Sequence, residues 1–124
     1  MEIKTGIDII EVKRIQEAIE KQGEKFLKKV YTEKEIAYCS HTGKMQYQHY
    51  AARFAAKEAV FKAISHKLPE ETEDIWNKIE VQNDRVHKPI ANLEGLNLVG
   101  IESMDLSLSH IAEYAVASFT IIFH

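Results

Sequence analysis

The chain opens on the pattern of a β-strand. Within residues 2–10 the isoleucines Ile3, Ile7 and Ile9 fall on alternate positions, and alternation is the period of a strand. Asp8 stands between two of them, so its side chain must lie on the opposite face.

The segments that follow this strand have apolar residues at the spacing of α-helices. Apolar residues recur every three or four positions over residues 12–30 and predict one long amphipathic helix. Thr32 with Glu35 three positions later is a capping box, which predicts the start of a short second helix. A third helix is predicted over residues 45–65, where many alanines favour the helical state. The face of this third helix that we expect to be buried carries Tyr47, Tyr50, Phe54, Phe61 and Ile64.

The pattern returns to strands after the acidic connector at residues 69–74. We predict strands over residues 75–82, near Leu93, over 97–101, up to about His110 and over 114–123, with a turn at 83–89. The last strand is almost wholly apolar, so we expect it to be covered on both faces, and its short link to the preceding strand predicts a hairpin. An N-terminal strand, three helices and then an antiparallel meander indicate an α+β fold in a single domain, residues 1–124.

Composition narrows the class of protein. The net charge of −3 is divided unequally, with a balance of +3 over residues 1–66 and of −6 over residues 67–124. Bulk charge therefore argues against a nucleic-acid binder, while a basic surface in the first part could steer an acidic partner. The apolar runs are too short for a membrane span, and residues 1–10 show no secretion signal. The single Cys39 fits a reducing compartment, so we expect a cytoplasmic protein that does not contact the membrane.

Two carboxylates and a lysine are the strongest candidates for chemistry. Glu58 and Lys62 are one helical turn apart at the edge of the expected buried face, although such a pair is often a surface ion pair worth only about 0.2–0.5 kcal/mol. Asp8 is a solvent-facing strand residue, a cap for the following helix, or a metal ligand. A strand carboxylate and a helix carboxylate with a lysine nearby fit magnesium, which keeps several waters. They fit zinc less well, because no zinc-ligand spacing is present.

Residues 107–110 alternate serine with leucine and end on a histidine. A Ser/His hydrolase is one interpretation, but the chain lacks the Gly-x-Ser-x-Gly nucleophile elbow. Polar residues on an exposed strand face are the plain alternative. Lys44, Arg53 and His110 are further candidates for holding phosphate groups.

The first predicted helix carries a basic stripe. At 100° per residue, Arg14, Lys21, Lys25 and Lys28 fall within about 60° of one another, roughly opposite the apolar stripe. Such a stripe is either the ordinary solvated face of a surface helix or a docking surface for an acidic partner.

Three segments together resemble the holo-acyl-carrier-protein synthase family, the small trimeric class of 4′-phosphopantetheinyl transferases. They are residues 6–15 (GIDIIEVKRI), residues 53–63 (RFAAKEAVFKA) and residues 107–110 followed by 113–117 (SLSH and EYAVA). Their order and spacing match as well, so the resemblance spans most of the chain.

The resemblance implies a reaction and its participants. The enzyme would transfer 4′-phosphopantetheine from coenzyme A to a serine of an apo acyl carrier protein and release adenosine 3′,5′-bisphosphate, in fatty acid or polyketide synthesis. Asp8 and Glu58 would hold Mg²⁺, Lys62 would face the pyrophosphate, and the protein would be a homotrimer. The proton of the carrier serine would pass to Glu58 or to a water on the metal, and the sequence does not choose between them. The positions implied for coenzyme A are Lys44, Arg53, Lys62, Asn83, Pro89, Ser109 and His110. The positions implied for the carrier are Arg14, Lys21, Gln22 and Lys25.

Two departures from the family pattern concern the nucleotide site. Residues 64–68 contain no glycine where the family has a glycine-containing turn, and the usual Gly-Lys-Pro is His87-Lys88-Pro89 here. Details of adenine binding therefore stay open.

Two other functions compete with the transferase. A different magnesium-dependent nucleotide enzyme, such as a pyrophosphatase, is disfavoured because the chain has no Walker loop and no dinucleotide fingerprint. A non-enzymatic adaptor that binds an acidic protein through the first helix would leave Asp8, Glu58 and Lys62 unexplained.

Overall fold

Five strands and five α-helices follow one another in the computed structural model, which describes residues 1–124. Short 3₁₀ turns precede and follow the longest helix and lie before the fourth strand. None of the helices is long and apolar enough to cross a membrane. The elements in chain order are β1 (Glu2–Glu11), α1 (Val12–Gln22), α2 (Glu24–Val30), α3 (Glu33–Ser40), α4 (Gln46–Ile64), α5 (Ile75–Lys78), β2 (Glu80–Asn83), β3 (Pro89–Asn92), β4 (Ile101–His110) and β5 (Tyr114–Phe123).

The strands form two antiparallel sheets. The larger sheet has the order β1-β5-β4, so the first strand of the chain pairs with the last one over its whole length. The predicted hairpin between the last two strands is confirmed as β4–β5, and β2 pairs only with β3. The α+β class is therefore confirmed, and the predicted meander is divided between the two sheets.

Three predicted elements have different bounds in the structure. The helix predicted over residues 12–30 is two helices, because Gly23 has a φ of 59° and interrupts the helical hydrogen bonding. The strand predicted over residues 75–82 is wrong in its first half, where α5 forms and Lys57 binds the carbonyl oxygens of Trp76 and Ile79. No strand covers residues 97–100, and β4 begins at Ile101.

The capping box at α3 is confirmed in both directions. The Thr32 hydroxyl accepts a hydrogen bond from the Glu35 backbone N–H at 3.3 Å. The Glu35 carboxylate accepts one from the Thr32 backbone N–H at 2.8 Å. Both donors belong to the unpaired start of the helix, so the pair fixes where α3 begins.

Helix α4 lies against the inner face of the larger sheet and forms the centre of the molecule. Its buried positions are mainly small residues, including Ala55, Ala56 and Ala59, together with Val60. The predicted buried face is only partly correct, because Tyr47 and Phe54 are half-buried and Phe61 is exposed. Alanines at the contact allow α4 to approach the sheet closely, whereas the aromatic residues stand at its edge.

Gly6 sets the closest approach between β1 and α4. A Cβ atom at this position would lie 1.8 Å from the carbonyl oxygen of Ala59. Asp8 follows two residues later on the same face of β1, so the absence of a side chain at Gly6 also brings Asp8 against α4.

The outer face of the larger sheet carries apolar side chains that the single chain does not cover. Ile3, Ile7 and Ile9 are 57%, 65% and 63% exposed, and Val116 and Ile122 of β5 pair with two of them on that face. The expectation that β5 is covered on both faces is thus wrong for one chain by itself, because only its inner face is fully buried.

Candidate active site

Asp8, Glu58 and Lys62 come together where β1 crosses α4. Lys62 Nζ donates to the Ile7 carbonyl oxygen at 2.9 Å and lies 3.3 Å from Asp8 Oδ1. The Asp8 side chain is 17% exposed and lies on the inner face of the sheet, opposite its isoleucine neighbours. The alternative of a solvent-facing Asp8 is therefore wrong, and Lys62 pairs with Asp8 rather than with its helical neighbour Glu58.

Glu58 lies half-buried beside this ion pair. Burial raises the pKa of its carboxyl group, the negative charge of Asp8 raises it further, and Lys62 lowers it. Asp8 therefore lies close enough to Glu58 to disfavour the ionised form of Glu58. A single lysine, engaged with Asp8, does not neutralise both carboxylates.

The donor set fits a magnesium ion that keeps most of its waters. No group of three or more His, Cys, Asp or Glu side chains gathers in the structure, so Asp8 and Glu58 have no third such side chain beside them. Two carboxylates on facing elements, with an open side toward solvent, are the kind of set that magnesium uses together with substrate phosphates.

An aromatic wall flanks Glu58 on α4. The Phe54 and Trp76 rings are stacked with centroids 6.2 Å apart, and the Phe61 and Trp76 centroids are 6.1 Å apart. Phe54 precedes Glu58 by four residues and Phe61 follows it by three, so both lie on the same side of the helix as Glu58. The wall, defined here as Phe54, Phe61 and Trp76, was not predicted, because Trp76 lies in the segment predicted to be a strand.

Arg53 and His110 belong to a second polar cluster near the start of α4. The Arg53 guanidinium lies 4.1 Å from the centre of the Tyr38 ring and is only 4% exposed. His110 Nδ1 lies 2.7 Å from Gln48 Oε1, and its ring meets that of His49 edge-on at 5.2 Å. The fold thus brings near each other two of the residues that the sequence analysis names for phosphate groups. Their neighbours Tyr38, Gln48 and His49 were not predicted.

Two nitrogen atoms of this cluster lack partners. Arg53 Nε and His49 Nδ1 are buried and make no hydrogen bond. The pKa of His49 is lowered by burial first and then by the charges of His110 and Arg53. The unpaired Arg53 N–H and the positive charge of its guanidinium group are suited to an anion such as a phosphate group.

The remaining nucleotide candidates lie on the turn before α4, on the β2–β3 hairpin and on β4. Lys44 is exposed in the 3₁₀ turn Gly43–Met45 that precedes α4. Asn83 and Pro89 face each other as the last pair of the β2–β3 hairpin before its loop. Ser109 is exposed and points to the face of β4 opposite that of its neighbour His110. No side-chain hydrogen bond joins these four residues to Arg53 or His110, so within one chain they are not connected to the Arg53 cluster.

The predicted basic stripe is distributed over two helices. Arg14, Lys21 and Gln22 are exposed on α1, and Lys25 and Lys28 are exposed on α2 beyond the break at Gly23. A single stripe on one continuous helix is therefore wrong. Lys28 also has an acidic neighbour, since its Nζ lies 3.6 Å from Glu24 Oε2.

A buried ion pair next to the site was not predicted. Lys57 Nζ lies 2.7 Å from Glu35 Oε1, and both side chains are completely enclosed. A lysine among the buried alanines of α4 was the available signal, because a buried ammonium group needs a partner. Nothing in the sequence pattern identified Glu35 as that partner.

Comparisons with known proteins agree on one family. The family model of the 4′-phosphopantetheinyl transferase superfamily matches residues 4–118. The chain is 44% identical over 122 residues to the holo-[acyl-carrier-protein] synthase of Ruminiclostridium cellulolyticum, covering 94% of this chain and 90% of that protein. It is 40% identical to the same-named protein of Solibacter usitatus, covering 94% and 95%.

Solved structures agree with the family match. The structure of holo-(acyl-carrier-protein) synthase from Bacillus anthracis in complex with CoA (3′,5′-ADP) is similar with a TM-score of 0.75 at 34% identity, covering 95% of this chain and 94% of that one. That of the Helicobacter pylori synthase in complex with coenzyme A has a TM-score of 0.79 at 28% identity, covering 95% and 99%. By family model, sequence identity and fold, the chain belongs to the 4′-phosphopantetheinyl transferase superfamily.

Proposed function

We propose that this protein is a holo-acyl-carrier-protein synthase, which transfers 4′-phosphopantetheine from coenzyme A to a serine of an apo acyl carrier protein. The observation that carries the proposal is the meeting of Asp8, Glu58 and Lys62 at one point between β1 and α4. Relatives that carry this name cover nearly the whole chain, so the proposal concerns the complete domain.

The reaction is a phosphoryl transfer, in which positioning and charge neutralisation matter most. Mg²⁺ held by Asp8 and Glu58 supplies positive charge to the pyrophosphate oxygens when it is bound. Lys62, which is half exposed and already directed at Asp8, adds a second positive group on the same side. Glu58 is the proposed acceptor of the serine proton, because its carboxylate lies at the same point as Asp8 and Lys62, where the serine would attack.

Coenzyme A has a second proposed anchor in the cluster around Arg53. The unpaired Arg53 Nε, with His110 and His49 beside it, supports binding of a phosphate group there. Lys44, at the end of the turn that leads into α4, adds a further exposed cation. Asn83, Pro89 and Ser109 remain proposed nucleotide contacts, on the strength of the resemblance alone.

The carrier is proposed to dock on the exposed basic residues of α1 and α2. Acyl carrier proteins are acidic, and this chain has a net charge of −3, so the attraction must be local. Arg14, Lys21, Gln22 and Lys25 are all exposed, and α1 follows β1 directly after Asp8 and Glu11. A carrier on this surface would bring its serine toward Glu58.

A homotrimer is proposed for the assembly. The uncovered isoleucines of β1, with Val116 and Ile122 of β5, form an apolar outer face on the sheet, and a second copy of the chain is its proposed cover. Such an assembly would also bring together nucleotide positions that one chain keeps apart. A cytoplasmic location stays a prediction that rests on the lone Cys39.

Release of adenosine 3′,5′-bisphosphate tests the proposal against its rivals. The protein is incubated with coenzyme A and an apo carrier, with and without Mg²⁺, and nucleotides are separated by chromatography. Release that requires both the carrier and Mg²⁺ supports the transferase. Release without a carrier indicates a pyrophosphatase, and carrier binding with no release indicates an adaptor.

A further inference from the structure

The buried pair of Lys57 and Glu35 lies beside the site, and the proposed chemistry does not use it. Both residues are fully enclosed, at 0% and 1% exposed. Besides the Glu35 carboxylate at 2.7 Å, Lys57 Nζ donates to the carbonyl oxygens of Trp76 at 2.5 Å and Ile79 at 2.7 Å. The ammonium group therefore has one acceptor for each of its three protons.

Glu35 completes the network from the other side. Its Oε1 accepts from the Thr32 backbone N–H at 2.8 Å, and its Oε2 accepts from the Val81 backbone N–H at 2.7 Å. Four elements meet in these contacts: the start of α3, the middle of α4, α5 and the beginning of β2. The pair thus fastens the segment from α5 to β2 onto α4.

Stability alone does not account for such a pair. Burial raises the pKa of Glu35 and lowers that of Lys57, so enclosure opposes the charged form of both. Buried ion pairs are often replaceable by apolar residues at little or no loss of stability, whereas removal of one partner is costly. The alternative is that the pair fixes the position of one part of the chain. That part is the segment from α5 to β2, which the pair attaches to α4.

The segment that Lys57 holds carries Trp76 of the aromatic wall. The Trp76 ring packs on Phe54 and Phe61 while its backbone oxygen binds Lys57. At 100° per residue, Phe54 and Phe61 lie about 20° apart on α4 and stand between Lys57 on one side and Glu58 on the other. The wall therefore spans the distance from the buried pair to the site.

We infer that Lys57 and Glu35 are positioning residues, which clamp α5 onto α4 and so hold the Phe54–Phe61–Trp76 wall beside Glu58. The inference rests on the proposed function for what happens at Glu58. In this account the pair touches neither substrate, and its effect on transfer passes through the wall.

Trp76 is the only tryptophan in the chain, so its fluorescence reports on the wall directly. In Lys57→Met the side chain keeps its length but leaves both carbonyl oxygens without a donor. At a temperature where the variant is folded, we expect Trp76 emission to shift to longer wavelength and to be quenched more by acrylamide. Maximal turnover should fall at least about tenfold, because a small displacement beside a reacting group is costly. The KM for coenzyme A should stay within about twofold of the wild type, because the variant leaves the contacts that bind coenzyme A before the reaction unchanged.

A stability control separates positioning from general loss of structure. Leu106→Ala opens a cavity in the core under β4, at a residue that makes none of the hydrogen bonds of the Lys57–Glu35 network, and should lower the melting temperature while leaving turnover per folded molecule and Trp76 emission unchanged. If Lys57→Met does not fold, Glu35→Gln replaces it, because the amide keeps an acceptor and removes the charge, and the same changes should appear with smaller size.

The inference requires that Lys57→Met both lowers the turnover and shifts the Trp76 emission. Unchanged turnover, or reduced turnover with unchanged Trp76 emission, overturns it. If the wild type itself transfers nothing to the carrier, the proposed function fails instead. The fluorescence comparison of Lys57→Met with Leu106→Ala then still decides whether the pair holds Trp76 in place.

Discussion

At the scale of single residues, the proposed site holds two acids, and the charge of Asp8 opposes the ionisation of Glu58. Glu58 is half-buried, its pKa is raised by burial and by Asp8, and the only nearby cation, Lys62, pairs with Asp8. This arrangement is unfavourable for the ionised Glu58 in the metal-free protein, and the divalent cation that we propose for Asp8 and Glu58 would offset their negative charge. Residues arranged for a ligand in this way typically cost stability in its absence.

Asp8→Asn and Glu58→Gln should each abolish transfer while leaving the fold intact. Either change removes one of the two anionic oxygen ligands proposed for Mg²⁺, and magnesium sites of this kind have few protein ligands to spare. Initial rates at limiting Mg²⁺, with circular dichroism as the check on folding, measure the effect. Full activity of both variants would remove the metal assignment.

Glu58→Gln should also make the metal-free protein more stable at neutral pH. A raised pKa in the folded state means that ionisation of Glu58 costs stability as the pH rises through that pKa. The amide removes this cost, so we expect the melting temperature of the variant in EDTA to exceed that of the wild type by a few degrees at pH 7. The difference should vanish in acid below the ordinary pKa of glutamic acid, where the wild-type side chain is neutral. A lower melting temperature at pH 7 would contradict this account of Glu58.

At the scale of elements, the contact between β1 and α4 positions the site. Gly6 and the alanines of α4 allow the close approach that brings Asp8 next to Glu58 and Lys62. Four elements were predictable from the sequence, because a local pattern sets each of them. They are the strands β1, β4 and β5, with their alternating residues, and the alanine-rich helix α4. The site triad was predictable from the same patterns together with the family resemblance.

Elements that depend on distant partners were not predictable in this way. Gly23 was insufficient as a signal to end α1, because an isolated glycine is tolerated within many helices. α5 is four residues long, and Lys57, 19 positions before Trp76, binds its backbone. The partner of Lys57 was hidden for the same reason, since a local period carries no information about which acid will lie opposite a buried lysine.

Gly6→Ala tests the close approach of β1 and α4. Its Cβ would lie 1.8 Å from the Ala59 carbonyl oxygen, so one of the two backbones must move. We expect a loss of roughly 1–3 kcal/mol in the free energy of unfolding, as for other overpacked cores, together with a large loss of transfer. Gly95→Ala is the matched control, because its Cβ would meet only Lys78 atoms at ordinary distances of 3.5–3.6 Å. Equal behaviour of the two variants in urea denaturation would contradict the special role of Gly6.

The basic residues of α1 and α2 form the second functional element. Lys21→Glu combined with Lys25→Glu should raise the KM for the carrier and leave the KM for coenzyme A nearly unchanged. The effect should shrink as salt rises, because exposed charges are screened over about 8–10 Å at 0.10–0.15 M ionic strength. Lys34→Glu makes the same kind of charge reversal at an exposed position outside α1 and α2 and should have little effect. Normal modification by the first variant at low salt would show that the carrier docks elsewhere.

At the scale of the whole molecule, a single chain leaves the apolar outer face of the larger sheet uncovered. Exposed isoleucines on β1 alternate with inward residues such as Asp8, so the strand that presents the site also presents the apolar face. The proposed trimer would link assembly to activity through this strand. Ile7→Lys should therefore lower the molar mass measured by light scattering and reduce transfer together. Val99→Lys removes an apolar side chain outside the sheet that is more exposed than Ile7, at 86% against 65%, and should change neither. A wild type that is active as a monomer would contradict the proposed assembly.

The mass of the carrier protein is the most direct test of the central claim. Apo carrier is incubated with coenzyme A and Mg²⁺ and with the wild type, Asp8→Asn or Glu58→Gln, and its intact mass is then recorded. The account predicts a gain of one 4′-phosphopantetheine group on a serine with the wild type and no gain with either variant. An unmodified carrier after incubation with the wild type, or a carrier modified equally by all three proteins, would contradict it.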